Sequence, residues 1–172
     1  MATRAEETAA VDVVKGYFAA LGRHDIAAAK EFLDAELVEE ISGVGVFRGP
    51  DEVGRFFDGL MKAVPDLELI VDGTTSEDDR VAIQWRMQGN FTGGPLFNGV
   101  QATGGRLQLR GCDVIEVSGG LIVRNTAYQD GLELARSLGM MPPQESAAER
   151  AMIGAFNAAT KVRQAVRDRF SG

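Results

Sequence analysis

The spacing of apolar residues along the chain changes from helical to strand-like near residue 67. Before that point, apolar residues recur every three or four positions, which is typical of amphipathic helices. The clearest of these sets are Val11, Val14, Phe18, Leu21 and then Val53, Phe56, Phe57, Leu60. After it, apolar and polar residues alternate, which predicts strands with one buried face. The best example is Val81, Ile83, Trp85, Met87.

These patterns predict three helices followed by an antiparallel meander, which is an α+β fold. The second helix is expected from Ile26 to Leu33, and a short strand from Val38 to Ile41. Ser118-Gly119-Gly120 predicts a hairpin turn, and Gly111 a β-bulge. A strongly curved sheet wrapped over the helices would leave an apolar hollow between them.

Pro142-Pro143 interrupts the chain and predicts two segments. Residues 1–143 would form the α+β barrel domain, and residues 144–172 a C-terminal helical extension, with its helix from Ser146 to Phe170. Residues 145–172 carry five basic and three acidic side chains, a net charge of +2, which leaves −9 for the rest. This extension could pack on its own barrel or on a second subunit.

Composition limits the classes of partner and the types of catalytic site to be considered. The net charge of −7 disfavours nucleic acid and anionic membranes. No apolar run reaches the ~20 residues of a membrane span, and the N-terminus lacks a signal-peptide pattern, so we expect a cytoplasmic protein. His24 is the single histidine, which excludes histidine metal clusters and histidine-based triads. We therefore expect no metal and no cofactor.

Several short motifs then resemble one known group of proteins. Val14-Lys15-Gly16-Tyr17-Phe18-Ala19-Ala20-Leu21, followed by Asp25, is similar to the first helix of ketosteroid isomerases and SnoaL-like proteins. Further matches are Gly49, Val64-Pro65-Asp66-Leu67, Gly119-Gly120-Leu121-Ile122-Val123, Tyr128-Gln129-Asp130 and Leu138-Gly139-Met140-Met141-Pro142. Over about residues 11–143 the chain thus resembles the SnoaL-like polyketide cyclase branch of the nuclear transport factor 2-like superfamily. The resemblance implies a cone-shaped α+β barrel. Gly89-Asn90-Phe91-Thr92 departs from the Gly-Thr-His loop frequent in that branch.

The resemblance implies two sets of catalytic residues. Asp130 matches the aspartate that acts as acid and base in SnoaL-like cyclases, although a strand-end aspartate could equally cap the next helix. Tyr17, Glu40 and Asp113 resemble the oxyanion-hole tyrosine, the base and the protonated oxyanion-hole acid of ketosteroid isomerases. Glu39 beside Glu40 leaves the register of the base open. The alternatives are a core tyrosine, a solvated glutamate and a structural aspartate.

Aromatic and apolar side chains complete the expected site. We expect Trp85 and Met87 to face the hollow, Phe91 to lie near its mouth and Tyr128 to contact the ligand. A tryptophan offers a flat wall to a ring-shaped molecule. The alternative is that these side chains are ordinary core.

Together these features predict a cofactor-independent cyclase or isomerase for a hydrophobic, polyketide-like carbonyl compound. Two enzymatic alternatives are ketosteroid isomerase-like chemistry and epoxide hydrolysis, and Ala127 at an expected acid position counts against the latter. A third is a ligand-binding or dimerisation module without chemistry. We expect a homodimer or higher homo-oligomer, for which the polar face of Gln84, Arg86 and Gln88 could serve.

Overall fold

The computed structural model describes residues 4–96 and 99–170. Five helices and six strands follow one another as α1 (Arg4–Gly22), α2 (Ile26–Lys30), β1 (Leu33–Ile41), β2 (Gly45–Arg48), α3 (Gly49–Ala63), β3 (Glu68–Glu77), β4 (Arg80–Asn90), β5 (Arg106–Ser118), β6 (Leu121–Gln129), α4 (Gly131–Ser137) and α5 (Ala147–Phe170). The expected α+β class is confirmed.

The six strands form one sheet in the order β2-β1-β6-β5-β4-β3. The strands β3 to β6 form the expected antiparallel meander, whereas β1 pairs with β6 in parallel. The sheet is curved and unclosed, with β2 and β3 as its edges. One face is therefore concave, and the helices α1 and α3 cover it.

The core lies between that concave face and the helices. Val14, Phe18 and Leu21 of α1 are buried against Ile83, Trp85 and other inward residues of the sheet. The alternation in β4 is strict, since Val81, Ile83, Trp85 and Met87 are buried. The period-two pattern thus determines which side chains reach the interior.

Several boundaries differ from the expected ones. The helix α2 ends at Lys30 rather than Leu33, and β1 begins at Leu33 rather than Val38. The pairing of β5 with β4 and β6 continues through Gly111 without a shift, so no bulge occurs there. The hairpin turn at Gly119-Gly120 is confirmed, and both glycines have positive φ angles of 59° and 81°.

The C-terminal helix α5 agrees with its predicted range to within one residue. Its side chains are exposed almost throughout. Among the described residues, no helix combines the length and apolar character needed to cross a membrane.

Candidate active site

An apolar hollow lies between the concave face of the sheet and the helices α1 and α3. Its cavity volume is about 50 Å³, so apolar side chains fill most of the space between the sheet and the helices. Leucines, phenylalanines and other apolar residues form most of its wall. The polar side chains that line it are Tyr17, Glu39, Asp113 and Gln129.

Strand register brings the polar side chains of the hollow together. Glu39 on β1 lies opposite Asn125 on β6, and Asn125 lies opposite Ile115 on β5. Asp113, two residues before Ile115, points to the same face of the sheet. Helix α1 places Tyr17 above them. We call Tyr17, Glu39, Trp85, Asp113 and Asn125 the buried polar cluster.

Asp113 is the best-connected member of the cluster. Its Oδ1 accepts a hydrogen bond of 2.7 Å from the Trp85 Nε1, and its Oδ2 accepts one of 2.9 Å from the Asn125 Nδ2. The side chain is only 5% exposed. Burial raises the pKa of Asp113, while the two donors act in the opposite direction because they favour the charged form. Both oxygens are therefore held in place.

Glu39 has the most perturbed carboxyl group of the cluster. It is 1% exposed. Burial raises the pKa of Glu39 to about 8, and the charge of Asp113 adds to this, while Asn125 and Tyr17 partly oppose it. Near neutral pH a carboxyl group with such a pKa can both give up and accept a proton, which suits a general acid or base.

Three atoms of the cluster have no hydrogen-bond partner within the protein: the Tyr17 hydroxyl, the Glu39 Oε2 and the Asn125 Oδ1. Tyr17 and Asn125 both lie near enough to Glu39 to lower its pKa as hydrogen-bond partners, so these groups can pair with one another or with a bound molecule. Burial and the charges of Glu39 and Asp113 raise the pKa of Tyr17, which keeps its hydroxyl protonated. A molecule in the hollow would meet the Tyr17 and Glu39 side chains, which line it.

The expected base, Glu40, is not in the hollow. In β1 the buried residues alternate as Leu37, Glu39 and Ile41, which leaves Glu40 exposed on the opposite face. The difference arises from the start of the strand. In a strand that begins at Val38, the apolar Val38 and Ile41 lie on opposite faces, so they do not show which face is buried. Leu37 and Ile41 lie on the same face as Glu39 and place it inside.

Asp130 also lies outside the hollow, and it caps the next helix, which was the alternative to a catalytic role. It is exposed and forms the N-cap of α4, where its Oδ1 accepts hydrogen bonds of 3.0 Å from the backbone N–H groups of Leu132 and Glu133. The neighbouring Gln129 lines the hollow instead.

Replacing Asp130 with alanine should therefore lower the free energy of unfolding by about 1 kcal/mol, the usual cost of a lost N-cap. Asp130→Asn should cost much less, because asparagine caps equally well. Urea unfolding measures both. An Asp130→Asn variant with unchanged stability but no turnover would instead return the acid/base role to this residue.

The expected ligand-contacting residues divide into two pairs. Trp85 and Met87 line the hollow. Phe91 is completely buried in the core and is not part of the wall, and Tyr128 is 56% exposed on the opposite face of the sheet. Of the predicted catalytic and binding residues, the structure thus brings together Tyr17, Asp113, Trp85 and Met87.

Sequence reasoning favoured Glu40 while leaving the register open to Glu39, and it missed Asn125 and Gln129. The strand β6 buries Asn125 and Ala127 and half-buries Gln129, all on one parity. Asn125 alternates with the apolar Ala127 on the buried face of β6, and a polar residue in that position is the signal that could have revealed it. Among the described residues, no three His, Cys, Asp or Glu side chains lie close enough together to bind a metal ion.

Comparison with known proteins adds a family and a set of similar folds. A model of the SnoaL-like domain family matches residues 14–125. No curated protein matches the chain significantly.

Three solved structures illustrate the similarity of fold. A candidate SnoaL-like polyketide cyclase from Jannaschia sp. CCS1 is 20% identical, with a TM-score of 0.72 over 83% of this chain and 99% of that one. AclR, a candidate hydroxylase from Streptomyces galilaeus, is 22% identical, with a TM-score of 0.70 over 96% and 99%. An LEH-like epoxide hydrolase from M. tuberculosis is 22% identical, with a TM-score of 0.62 over 78% and 92%.

Proposed function

Because the chain belongs to the SnoaL-like domain family, we propose that it is a cofactor-independent enzyme that moves a proton beside a carbonyl group of a hydrophobic, polyketide-like molecule. The observation that carries the proposal is that the Tyr17 hydroxyl and the Glu39 Oε2, two buried polar atoms without a close hydrogen bond, belong to side chains that line an otherwise apolar hollow. An apolar molecule with one carbonyl oxygen matches the chemistry of such a site, and side chains of the wall must move apart to admit it because the cavity measures about 50 Å³.

In the first step, the ionised Glu39 removes a proton from the carbon next to the carbonyl group. The Tyr17 hydroxyl donates a hydrogen bond to the oxygen on which negative charge develops. A fixed donor in a water-poor site stabilises that charge more than water does, because it needs no reorganisation. The raised pKa of Tyr17 keeps the donor protonated throughout.

In the second step, the proton now on Glu39 is used again. If the enolate carbon attacks a second carbonyl group of the same molecule, a ring closes and Glu39 protonates the new alkoxide. If the proton returns to a different carbon, the product is an isomer. Glu39 performs both transfers, so Asp130 is not required.

Asp113 acts as a positioning residue in this proposal. Its two hydrogen bonds fix Trp85 as a wall of the hollow and orient Asn125. Its charge also helps to raise the pKa of Glu39, which makes Glu39 a stronger base when it is ionised.

Deuterium exchange tests this chemistry without knowledge of the product. Wild-type protein in D₂O should catalyse incorporation of deuterium next to the carbonyl group of at least one member of a panel of polycyclic and linear polyketone compounds, measured by NMR. The rate should rise with pH up to about 8, because only ionised Glu39 can act as the base. Glu39→Gln should lower the rate by about 10²-fold or more, and Tyr17→Phe by about 10²-fold.

Glu40→Gln is the matched control, since it makes the same change one residue away on the exposed face. It should leave the exchange rate unchanged. Trp85, the single tryptophan, reports entry of the ligand by fluorescence. Compounds that quench Trp85 without exchanging would indicate a binding protein, and equal rates for wild type and Glu39→Gln would rule out the proposed base.

A further inference from the structure

The C-terminal helix α5 has an apolar stripe that nothing in the described part of the chain covers. Met152, Ile153, Phe156 and Val166 form this stripe and are between 41% and 66% exposed. From Ala151 to Arg169 all residues are exposed except the half-buried Thr160. A helix of 24 residues extends about 36 Å. Helices in proteins gain most of their stability from packing an apolar face against other elements, so an uncovered stripe calls for a partner.

The base of α5 is nevertheless fixed to the barrel. The Arg136 Nη2 on α4 donates a hydrogen bond of 2.6 Å to the Glu149 Oε1, and these two side chains are only 23% and 13% exposed. The Glu145 backbone N–H donates one of 2.6 Å to the Glu149 Oε2. These contacts hold the N-terminal end of α5 against α4, whereas the residues that follow are exposed almost throughout.

Charge indicates what covers the stripe. Residues 150–170 carry five basic and one acidic side chain, a net charge of +4, which leaves −11 for the rest of the chain. Two copies of α5 packed on each other would bring two basic helices together. A copy of α5 packed on the acidic barrel of another molecule would instead meet opposite charge.

The barrel offers an apolar receiving surface near the mouth of the hollow. A cleft of about 260 Å³ shares Val44, Leu96, Gln129 and Leu134 with the wall of the hollow. Met140 lines this cleft and is 57% exposed. None of the described residues that line this cleft is charged, so an apolar side chain of another molecule can enter it without desolvating a charge.

We infer that α5 of one molecule docks its apolar stripe on the barrel of a second copy of this chain, in the cleft lined by Met140. Phe156, at the centre of the described stripe and 66% exposed, is the main anchor. The basic residues on α5 attract the acidic barrel and disfavour pairing of α5 with itself. Docked there, the helix covers the mouth of its partner's hollow.

Sedimentation equilibrium of the full chain between 1 and 100 µM, at low and high salt, tests this interface. The wild type should self-associate, and more weakly at 0.5 M NaCl, because salt screens the attraction. Phe156→Gln should raise the dissociation constant about tenfold or more, as loss of a central aromatic anchor does. Ala158→Gln, on the opposite face of α5, is the matched control and should change it less than about twofold. Met140→Glu should weaken association as Phe156→Gln does.

Arg163→Glu separates the two ways of pairing. If α5 docks on the acidic barrel, reversing this charge should raise the dissociation constant several-fold, whereas self-pairing of α5 predicts a decrease. Far-UV circular dichroism verifies that each variant keeps its helix. A decrease for Arg163→Glu, equal effects of Phe156→Gln and Ala158→Gln, or a wild type that stays monomeric at 100 µM would overturn the inference. So would a monomer that binds vesicles of phosphatidylcholine and phosphatidylglycerol through α5.

Discussion

Between pH 5 and pH 8 the free energy of unfolding should fall as the pH rises. Over the whole interval from the unfolded to the folded pKa of Glu39, the total decrease is up to about 5 kcal/mol. In the folded protein Glu39 keeps its proton up to about pH 8, whereas the ordinary pKa of a glutamic acid is 4.5. Within this interval the unfolded chain binds fewer protons than the folded one. Rising pH therefore favours unfolding, by about 1.4 kcal/mol per pH unit.

Glu39→Gln should remove most of this dependence. Glutamine has nearly the same shape and cannot ionise, so the variant should be several kcal/mol more stable than the wild type at pH 8 and little different near pH 4.5. Urea unfolding at pH 5, 6, 7 and 8 measures the slope. The raised pKa of Asp113 leaves a dependence of the same sign in this variant.

Exposed Glu40 again provides the control. Glu40→Gln should shift stability by less than about 0.5 kcal/mol and keep the slope of the wild type. The exposed Asp51, Asp66 and Asp72 do not interfere, because they have lowered pKa values and lose their charge below this range. Parallel slopes for wild type and Glu39→Gln would mean that Glu39 is not the buried ionisable group.

A stabilising effect of Glu39→Gln would also bear on function. Proteins keep a buried carboxyl group at a cost in stability mainly where its chemistry is used. The same substitution should thus stabilise the fold and abolish deuterium exchange. This opposition between stability and activity is what a purely structural glutamate would not produce.

The fold was predictable because it depends on long periodic patterns. The helical spacing around Val14 and Phe18, the alternation in β4 and the glycine pair at 119 and 120 each determine one element almost independently of the rest. The family motifs then gave the order in which these elements pack. Errors in the boundaries of α2 and β1 did not alter the class of fold.

The site was only partly predictable, because it depends on which face of a strand each side chain occupies and on contacts between residues distant in sequence. A shift of one residue at the start of β1 exchanges Glu39 for Glu40. Asp130 faces solvent because α4 begins immediately after it and uses its carboxylate as a cap. The partnership of Asp113 with Asn125 arises from pairing of β5 with β6, which single-residue patterns do not reveal.

Gly111→Ala should cost about 3 kcal/mol of stability, because Gly111 makes room for the indole of Trp85 rather than forming a bulge. A Cβ atom at this position would lie 2.4 Å from the Trp85 Cζ2 and 2.6 Å from the backbone oxygen of Tyr128. The second contact is with backbone in the centre of the sheet, so it cannot be relieved by turning a side chain. The indole must therefore move and the sheet must shift locally.

That movement should reach the buried polar cluster. The Trp85 Nε1 donates to Asp113 from a ring position that a side chain at residue 111 would obstruct, and a displaced ring leaves the Asp113 Oδ1 buried without that donor. The Gly111→Ala variant should thus show altered Trp85 fluorescence, reduced stability in urea and slower deuterium exchange. All three effects have one cause.

Gly59→Ala provides the comparison, since a Cβ atom there meets nothing within 4 Å and the residue lies inside α3. It should stabilise the protein by about 0.5–1 kcal/mol, as alanine restricts the unfolded chain and favours helix. It should leave the emission of Trp85 unchanged. If Gly111→Ala were as harmless as Gly59→Ala, the space left by Gly111 on β5 would not be needed to hold the Trp85 indole against Asp113. Packing on β5 would then not position Trp85.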